Sequence, residues 1–471
     1  MSSVRLGFHG AARTVTGSRY LIHAHSQLTG VDAGLFQGLR ELRELNWREP
    51  PYPAHQVDRI LLTHAHIDHI GFLPRLVRNG FKGPIFCTGS TADLVELLLL
   101  DSAKIQEEDA RYANKKKYSK HDPALPLYSE EDAKRTLKLL EPVAHHDWQK
   151  IGKGIRARWI GAGHILGSCS VQVEIDGPGE KTGSILFSGD VGRYDMPLHL
   201  DPEDRVASDV LICESTYGDR SHDPEVPLEE QLAIPISRCL ERGGTVLIPA
   251  FAVGRSQQLT LILRRLMQEG RIPEVSVHID SPMAVRATKI YSRHMDEHHL
   301  DADVFEDGRD VLFPDDVEFH TSVKSSKALN AARGPRIIIS ASGMLTAGRV
   351  LHHLKRLVDE RRNLIVLAGY QAPGTRGRRI LEGERYVRIH GQDFPIRAEC
   401  VALHGLSAHA GQDELMRWLK SEQSSPKQTY LTHGEPEKAW ALANKIEREL
   451  GWVVDLPELD QTLDITPYLF G

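Results

Sequence analysis

The sequence predicts a layered α/β fold in more than one domain. Short apolar runs such as Ile60-Leu61-Leu62 and Ile337-Ile338-Ile339 alternate with segments whose apolar residues recur at helical spacing. That alternation describes a mostly parallel sheet with helices on its faces. At 471 residues the chain also exceeds one ordinary hydrophobic core. A hydrophobic content of 41% with 26% charged residues is globular and excludes disorder on a large scale. No apolar run approaches membrane-spanning length, and Met1-Ser2-Ser3-Val4-Arg5 opens no secretory signal. The formal charge of −6 argues against indiscriminate coating of nucleic acid. Cys87, Cys169, Cys213, Cys239 and Cys400 are scattered, with no Cys-x-x-Cys pair, as buried thiols of a reducing cytoplasm would be.

Residues 4–33 read as short strands joined by Gly-rich turns and ending at Val31-Asp32-Ala33-Gly34. Residues 60–63 read as a buried strand, and Phe72-Leu73-x-x-Leu76-Val77 as a helix. Residues 84–88 form the next strand. A helix over 91–113 follows, with Leu94, Leu97, Leu98 and Ile105 as its apolar positions. Lys115-Lys116-Lys117 opens an exposed connection. Two strand-then-turn units come next: 156–160 into Gly161-Ala162-Gly163-His164, and 184–188 into Gly189-Asp190. Each sets a ligand-type residue just past a strand, where layered α/β folds build their sites.

From about 208 to 397 the character changes. Pro235 is expected to kink a helix. Residues 245–249 form a strand feeding a helix with Leu259, Ile262, Leu263, Leu266 and Met267 on its apolar face. Residues 275–279, 336–340 and 364–367 are further short strands. The last section, 398–471, returns to strand, helix, strand, helix.

The stretch His64-Ala65-His66-Ile67-Asp68-His69 carries the chemistry. It places three imidazoles and a carboxylate in six residues at a strand end. His64 and His66 project to the same side of an extended backbone. Asp68 and His69 follow as the chain turns into a helix, so the four groups can fan out around two adjacent zinc-type ions. Such a pair needs around seven donors. His164, Asp190 and His433, each just after a strand, are the candidates for the rest.

Together with Asp32 in Val-Asp-Ala-Gly, these residues resemble those of the metallo-β-lactamase superfamily. The resemblance implies that His64, His66 and His164 hold a first zinc, that Asp68, His69 and His433 hold a second, and that Asp190 bridges them. Asp32 would orient ligands without binding metal. About half the chain separates Asp190 from His433. It contains Cys213-Glu214-Ser215-Thr216-Tyr217-Gly218, Ile248-Pro249-Ala250-Phe251-Ala252-Val253-Gly254-Arg255, Asp280-Ser281-Pro282-Met283-Ala284 and Ser342-Gly343-Met344-Leu345-Thr346-Ala347-Gly348-Arg349. With Leu406-Ser407-Ala408-His409 and Leu431-Thr432-His433-Gly434-Glu435, these are similar to the β-CASP branch, nucleases that cleave RNA or DNA.

That branch implies a metallo-β-lactamase αββα sandwich, split in sequence into 1–207 and 398–471, with a β-CASP α/β domain over 208–397 roofing the active-site cleft. It implies a cytoplasmic endonuclease with two Zn2+ ions, cutting single-stranded RNA to leave 5′-phosphate and 3′-hydroxyl ends. Asp68 would orient the attacking water, and His409, paired with Glu214, would be the acid for the leaving oxygen. Ser342, Gly343 and Met344, before Arg349, offer backbone N–H groups at a helix start, and Ser407 a hydroxyl, for phosphate. Lys115–Lys117, Arg361-Arg362 and Arg376-Gly377-Arg378-Arg379 are either an RNA groove or solvated surface. No membrane contact is expected, and a homodimer is admissible. A 5′→3′ exonuclease, a DNA-directed nuclease and a non-catalytic RNA-binding partner stand as alternatives. The short stretch after His433 counts against the first, and the full set of ligand types against the last. The long insertion counts against a small-molecule esterase.

Overall fold

The computed structural model describes residues 3–117, 121–222, 227–299, 317–369, 371, 374–403 and 405–471. The chain forms two compact units. One comprises Met1–Asp195, Asp201–Ser221 and His409–Gly471; the other comprises Met196–Leu200 and His222–Ala408.

The first unit contains two seven-stranded sheets among the described residues. In one, Arg5–Phe8, Tyr20–Ala24 and Gln27–Val31 form an antiparallel meander that continues in parallel through Arg59–Leu61, Ile85–Thr88 and Leu140–Val143. The other runs from Val454–Asp455 through Gln428–Thr432, Val210–Glu214, Thr182–Phe187, Cys169–Asp176 and Ile155–Gly161 to Gln149–Gly152. Phe8, Ile22, Val31 and Leu61 from the first sheet share a core with Trp159, Val171, Phe187 and Ile212 from the second. Alternation of side chains along a strand then decides the opposite face. Leu211 and Cys213, neighbours of Val210 and Ile212, turn away to pack under Gln412–Lys420 and Pro436–Leu450 through Leu415, Trp418, Leu442 and Ile446. Helix Gly89–Lys116 lies against the first sheet. This is the expected αββα sandwich.

In the second unit, six parallel strands run in the order Val317–Phe319, Val277–Asp280, Arg336–Ser340, Thr245–Pro249, Leu364–Ala368 and Glu399–Leu403. The central strands Arg336–Ser340, Thr245–Pro249 and Leu364–Ala368 are buried along their whole length, covered on both faces, which is why their middle residues are apolar on both sides. Val246, Ile248, Ile337 and Ile339 face one core, and Leu247, Ile338, Ile365 and Leu367 face the other.

Some expectations are corrected. The boundaries at 207/208 and 397/398 both move, because a strand belongs where its hydrogen bonds are. Val210–Glu214 pairs with Thr182–Phe187 and Gln428–Thr432 of the first unit. Glu399–Leu403 pairs with Leu364–Ala368 of the second. Ile105 is 48% exposed, since the buried stripe of its helix runs through Leu94, Val95, Leu97 and Leu99. Pro235 lies in the interior of helix Leu228–Glu241. Burial of Leu232, Ile236 and Leu240 around it outweighs the roughly 3 kcal/mol that a mid-helix proline costs.

Candidate metal centre

Strand ends and tight turns of the first unit deliver each donor. His64 follows strand Arg59–Leu61, and His66 is the extended residue before the one-turn helix Ile67–Ile70, which carries Asp68 and His69. That helix docks on the Val-Asp-Ala-Gly segment: Ala33 N–H donates to the His69 carbonyl at 2.7 Å and Leu35 N–H to the Ile67 carbonyl at 3.0 Å. A Cβ at Gly34 would stand 1.6 Å from the Asp68 carbonyl oxygen, so only glycine permits this approach. The His164 turn is closed by Ser168, whose Oγ accepts from His164 N–H at 2.9 Å and Ile165 N–H at 3.1 Å. Asp190 follows Thr182–Phe187. His433, at φ +50°, follows Gln428–Thr432 and donates its N–H to the Ala11 carbonyl.

These side chains converge as two sets. His66 Nδ1 lies 3.1 Å from both His64 Nε2 and His164 Nε2. Asp190 Oδ2 stands 3.4 Å from His64 Nε2 and 3.5 Å from His164 Nε2. On the other side, His69 Nε2 is 3.2 Å from His433 Nε2, and His433 Nε2 is 3.4 Å from Asp68 Oδ2. Asp190 Oδ1 lies 3.3 Å from His69 Nε2 and 3.7 Å from His433 Nε2.

Hydrogen bonding among the residues themselves cannot satisfy this arrangement. Thr63 Oγ1 donates to Asp32 Oδ2 at 2.8 Å and so accepts from His64 Nδ1–H at 3.1 Å, which turns the His64 Nε2 lone pair inward. Thr216 Oγ1 donates to the His433 carbonyl and accepts from His433 Nδ1–H at 3.0 Å, with the same effect on that ring. A proton on His66 Nδ1 serves one of its two neighbours. Asp190 Oδ1 and His164 Nδ1 are buried without a hydrogen-bond partner among the described residues. Convergent lone pairs and an orphaned carboxylate oxygen fit a cation.

The electrostatics agree. Burial dominates His64 and His66, pushing their pKa values down to about 3 and about 4, and it holds His164 well below the usual range. These three rings are therefore neutral and ready to ligate. Burial also opposes charge on His69, but Asp190 and Asp32 outweigh it and raise His69 well above the ordinary value. Burial would raise Asp68 and Asp190; the surrounding imidazoles win and hold both carboxyls well below it.

Asp32 touches none of the convergent atoms. Its Oδ2 accepts from His69 Nδ1–H at 2.8 Å and its Oδ1 from Thr63 N–H at 2.9 Å. The first of these bonds fixes the orientation of the His69 ring. Beside the cluster, His409 Nδ1 is held by Glu214, 3.2 Å from Oε2 and 3.3 Å from Oε1, and lies 3.8 Å from Asp190 Oδ2. Glu214 is buried and accepts from Val191 N–H. Burial disfavours charge on His409; Glu214 and Asp190 outweigh it and push its pKa up to about 9. The sequence assigns no role to Thr63, Thr216 or Ser168. Each adjoins a motif residue in sequence or in its turn, which was the available signal.

The remaining expected contacts lie in the second unit. Ser342, Gly343 and Met344 follow strand Arg336–Ser340, but helix Val350–Leu357 starts well beyond them, so they form a turn and not a helix start. Ser342 Oγ accepts from Thr346 N–H at 3.1 Å. Arg349 is engaged inward: its guanidinium donates to Asp280 Oδ1 and the His320 carbonyl at 2.7 Å, and to the Thr321 carbonyl at 2.9 Å. Ser407 is buried near the end of that unit. Several of the basic residues are paired locally. Arg362 meets Glu360, Arg378 meets Glu382, and Arg376 clasps the carbonyls of Leu345, Thr346 and Arg388.

Three family models match the chain: the metallo-beta-lactamase superfamily over residues 20–225, the Beta-Casp domain over 256–380, and a Zn-dependent metallo-hydrolase RNA specificity domain over 393–457. Ribonuclease TTHA0252 of Thermus thermophilus is 36% identical over 434 residues, covering 92% of this chain and 94% of that one. An RNase J-like protein of Methanocaldococcus jannaschii is 30% identical, over 95% of this chain and 96% of its own. The transcription termination factor FttA of Methanosarcina mazei is also 30% identical, over 95% of this chain and 69% of its own length. A crystal structure of a protein of unknown function from Enterococcus faecalis shares the fold, with a TM-score of 0.55 at 13% identity over 98% of this chain and all of that one. With its sandwich, its convergent donors and these matches, the chain belongs to the metallo-β-lactamase superfamily, in the β-CASP nuclease branch, and is a metal-dependent hydrolase.

Proposed function

We propose that this protein is a zinc-dependent endonuclease that hydrolyses phosphodiester bonds of single-stranded RNA with two metal ions. One observation carries the reading: the two oxygens of Asp190 face separate donor sets, as a bridging carboxylate requires. His64, His66 and His164 would hold one ion with Asp190, and Asp68, His69 and His433 the other. Neighbouring donor atoms are spaced near the roughly 3.3 Å edge of tetrahedral zinc coordination. Bound there, zinc supplies Lewis-acid polarisation of phosphoryl oxygens and activation of water near neutral pH.

The chain's own groups do the rest. Asp32 and Thr216 aim His69 and His433. Asp68 orients the attacking water. His409, kept protonated by Glu214, donates from Nε2 to the leaving 3′-oxygen. Ser342, Gly343, Met344 and Ser407 are proposed phosphate contacts; Arg349, tied to Asp280, would brace its surroundings instead. RNA as substrate draws on the name of the Thermus relative and on the RNA specificity match. Five free cysteines support a cytoplasmic location. No helix among the described residues is long and apolar enough to cross a membrane.

Circular RNA, linear 5′-labelled RNA and DNA, each with and without chelator, test the proposal. The expected result is chelator-sensitive opening of the circle. Stepwise loss of 5′ nucleotides with intact circles, preference for DNA, or RNA binding without cleavage would each overturn it.

A further inference from the structure

We propose that the second unit carries a separate Zn2+ site formed by His278, Glu318 and His320. Strand Val277–Asp280 pairs in parallel with the edge strand Val317–Phe319, setting His278 opposite Glu318. His320, two residues after Glu318, continues the ladder by donating its N–H to the Ile279 carbonyl at 3.0 Å. Side chains two apart on a strand share a face, so all three groups meet on one side of the sheet.

Their donor atoms close a triangle. His278 Nδ1 and His320 Nε2 are 3.1 Å apart, and Glu318 Oε2 lies 3.6 Å from the first and 3.7 Å from the second. Ligand atoms of tetrahedral zinc stand about 3.3 Å from one another. Both imidazoles are buried, and His320 Nδ1 has no hydrogen-bond partner among the described residues. The Glu318 carboxylate is exposed, which opens the site to an ion from solvent. Two imidazoles and one carboxylate suit Zn2+, whereas Mg2+ and Ca2+ favour all-oxygen shells.

None of these residues belongs to the centre around Asp190. The site would act structurally, pinning a three-residue edge strand to its neighbour. The His320 carbonyl also receives Arg349, which pairs with Asp280, so an ion there would stiffen that ion pair as well.

The test uses full-length protein carrying His66→Ala, Asp190→Ala and His433→Ala, stripped by chelator and titrated with Zn2+ by calorimetry, with zinc counted after desalting. One equivalent of zinc is expected. Glu318→Gln in that background should weaken it by more than about tenfold, beyond the lower end of losing even an outer-shell partner. His278→Gln with His320→Gln should abolish it. No bound zinc, binding indifferent to these changes, or equal competition by Mg2+ would reduce the triangle to an ordinary imidazole–imidazole hydrogen bond and overturn the proposal. If the triple variant fails to fold, the unaltered protein against Glu318→Gln decides. Loss of one zinc equivalent supports the site, and equal zinc content overturns it.

Discussion

Asp32 and Thr216 make the site at the scale of single residues, because each fixes which ring nitrogen of a histidine faces the cluster. Asp32→Asn and Thr216→Val should each lower zinc affinity by about 10–100-fold while leaving the fold intact, as competition with a chromogenic chelator would measure. Asp32 also leaves Nδ1–H on His69 when Nε2 ligates. His69 is the charged ring at neutral pH, whereas His64, His66 and His164 are already neutral. Zinc uptake by metal-free protein should therefore release about one proton from these four rings, read by calorimetry in buffers of different ionisation enthalpy. His409→Ala should keep the metals and lose about 10²–10⁴-fold in cleavage rate. As an acid, His409 works only while protonated. With its pKa near 9, activity should fall as pH rises through that region. Glu214→Gln removes the charge that outweighs burial, so the alkaline limb should shift to lower pH; an unmoved limb rules out the pairing.

At the scale of elements, the site depends on how strands end. His64, Asp190 and His433 each follow a strand end, and the short helix Ile67–Ile70 is seated by its fit against Gly34. Gly34→Ala should displace Asp68 and His69, costing about 1–3 kcal/mol of stability from overpacking. Thermal unfolding and zinc content should fall together. Strand ends were legible because an apolar run followed by Gly, His or Asp is a local signal. Helix burial was less legible. Ile105 fits the period, yet it stays 48% exposed, because the segment that packs on this part of the helix is held instead by Ser102, Gln106 and Glu107. Ser342–Met344 follows its strand as the sequence implies, but it is a turn and no helix start, since the apolar residues at helical spacing begin only at Val350.

Across the whole molecule, two units with separate cores should not unfold as one step. Calorimetry of the metal-loaded protein should show a transition for each, and Asp190→Ala should lower the one belonging to the first unit while sparing the other. Composition and alternation determined the α/β class and the doubly covered parallel sheet, because burial on two faces writes unbroken apolar runs into a sequence. The histidine motif and its distant partners determined which residue types could bind metal, because spacing on a strand fixes which side chains share a side. The assignment of Val210–Glu214 and Glu399–Leu403 to different units was decided only by tertiary structure, since a strand's sequence does not say which edge accepts its hydrogen bonds. The same holds for the roles of Thr63 and Thr216, and for the meeting of His278 with Glu318 and His320. Thr63 with Asp32, Thr216 with His433, and His278 with Glu318 are contacts between segments far apart in the chain, set by register and packing.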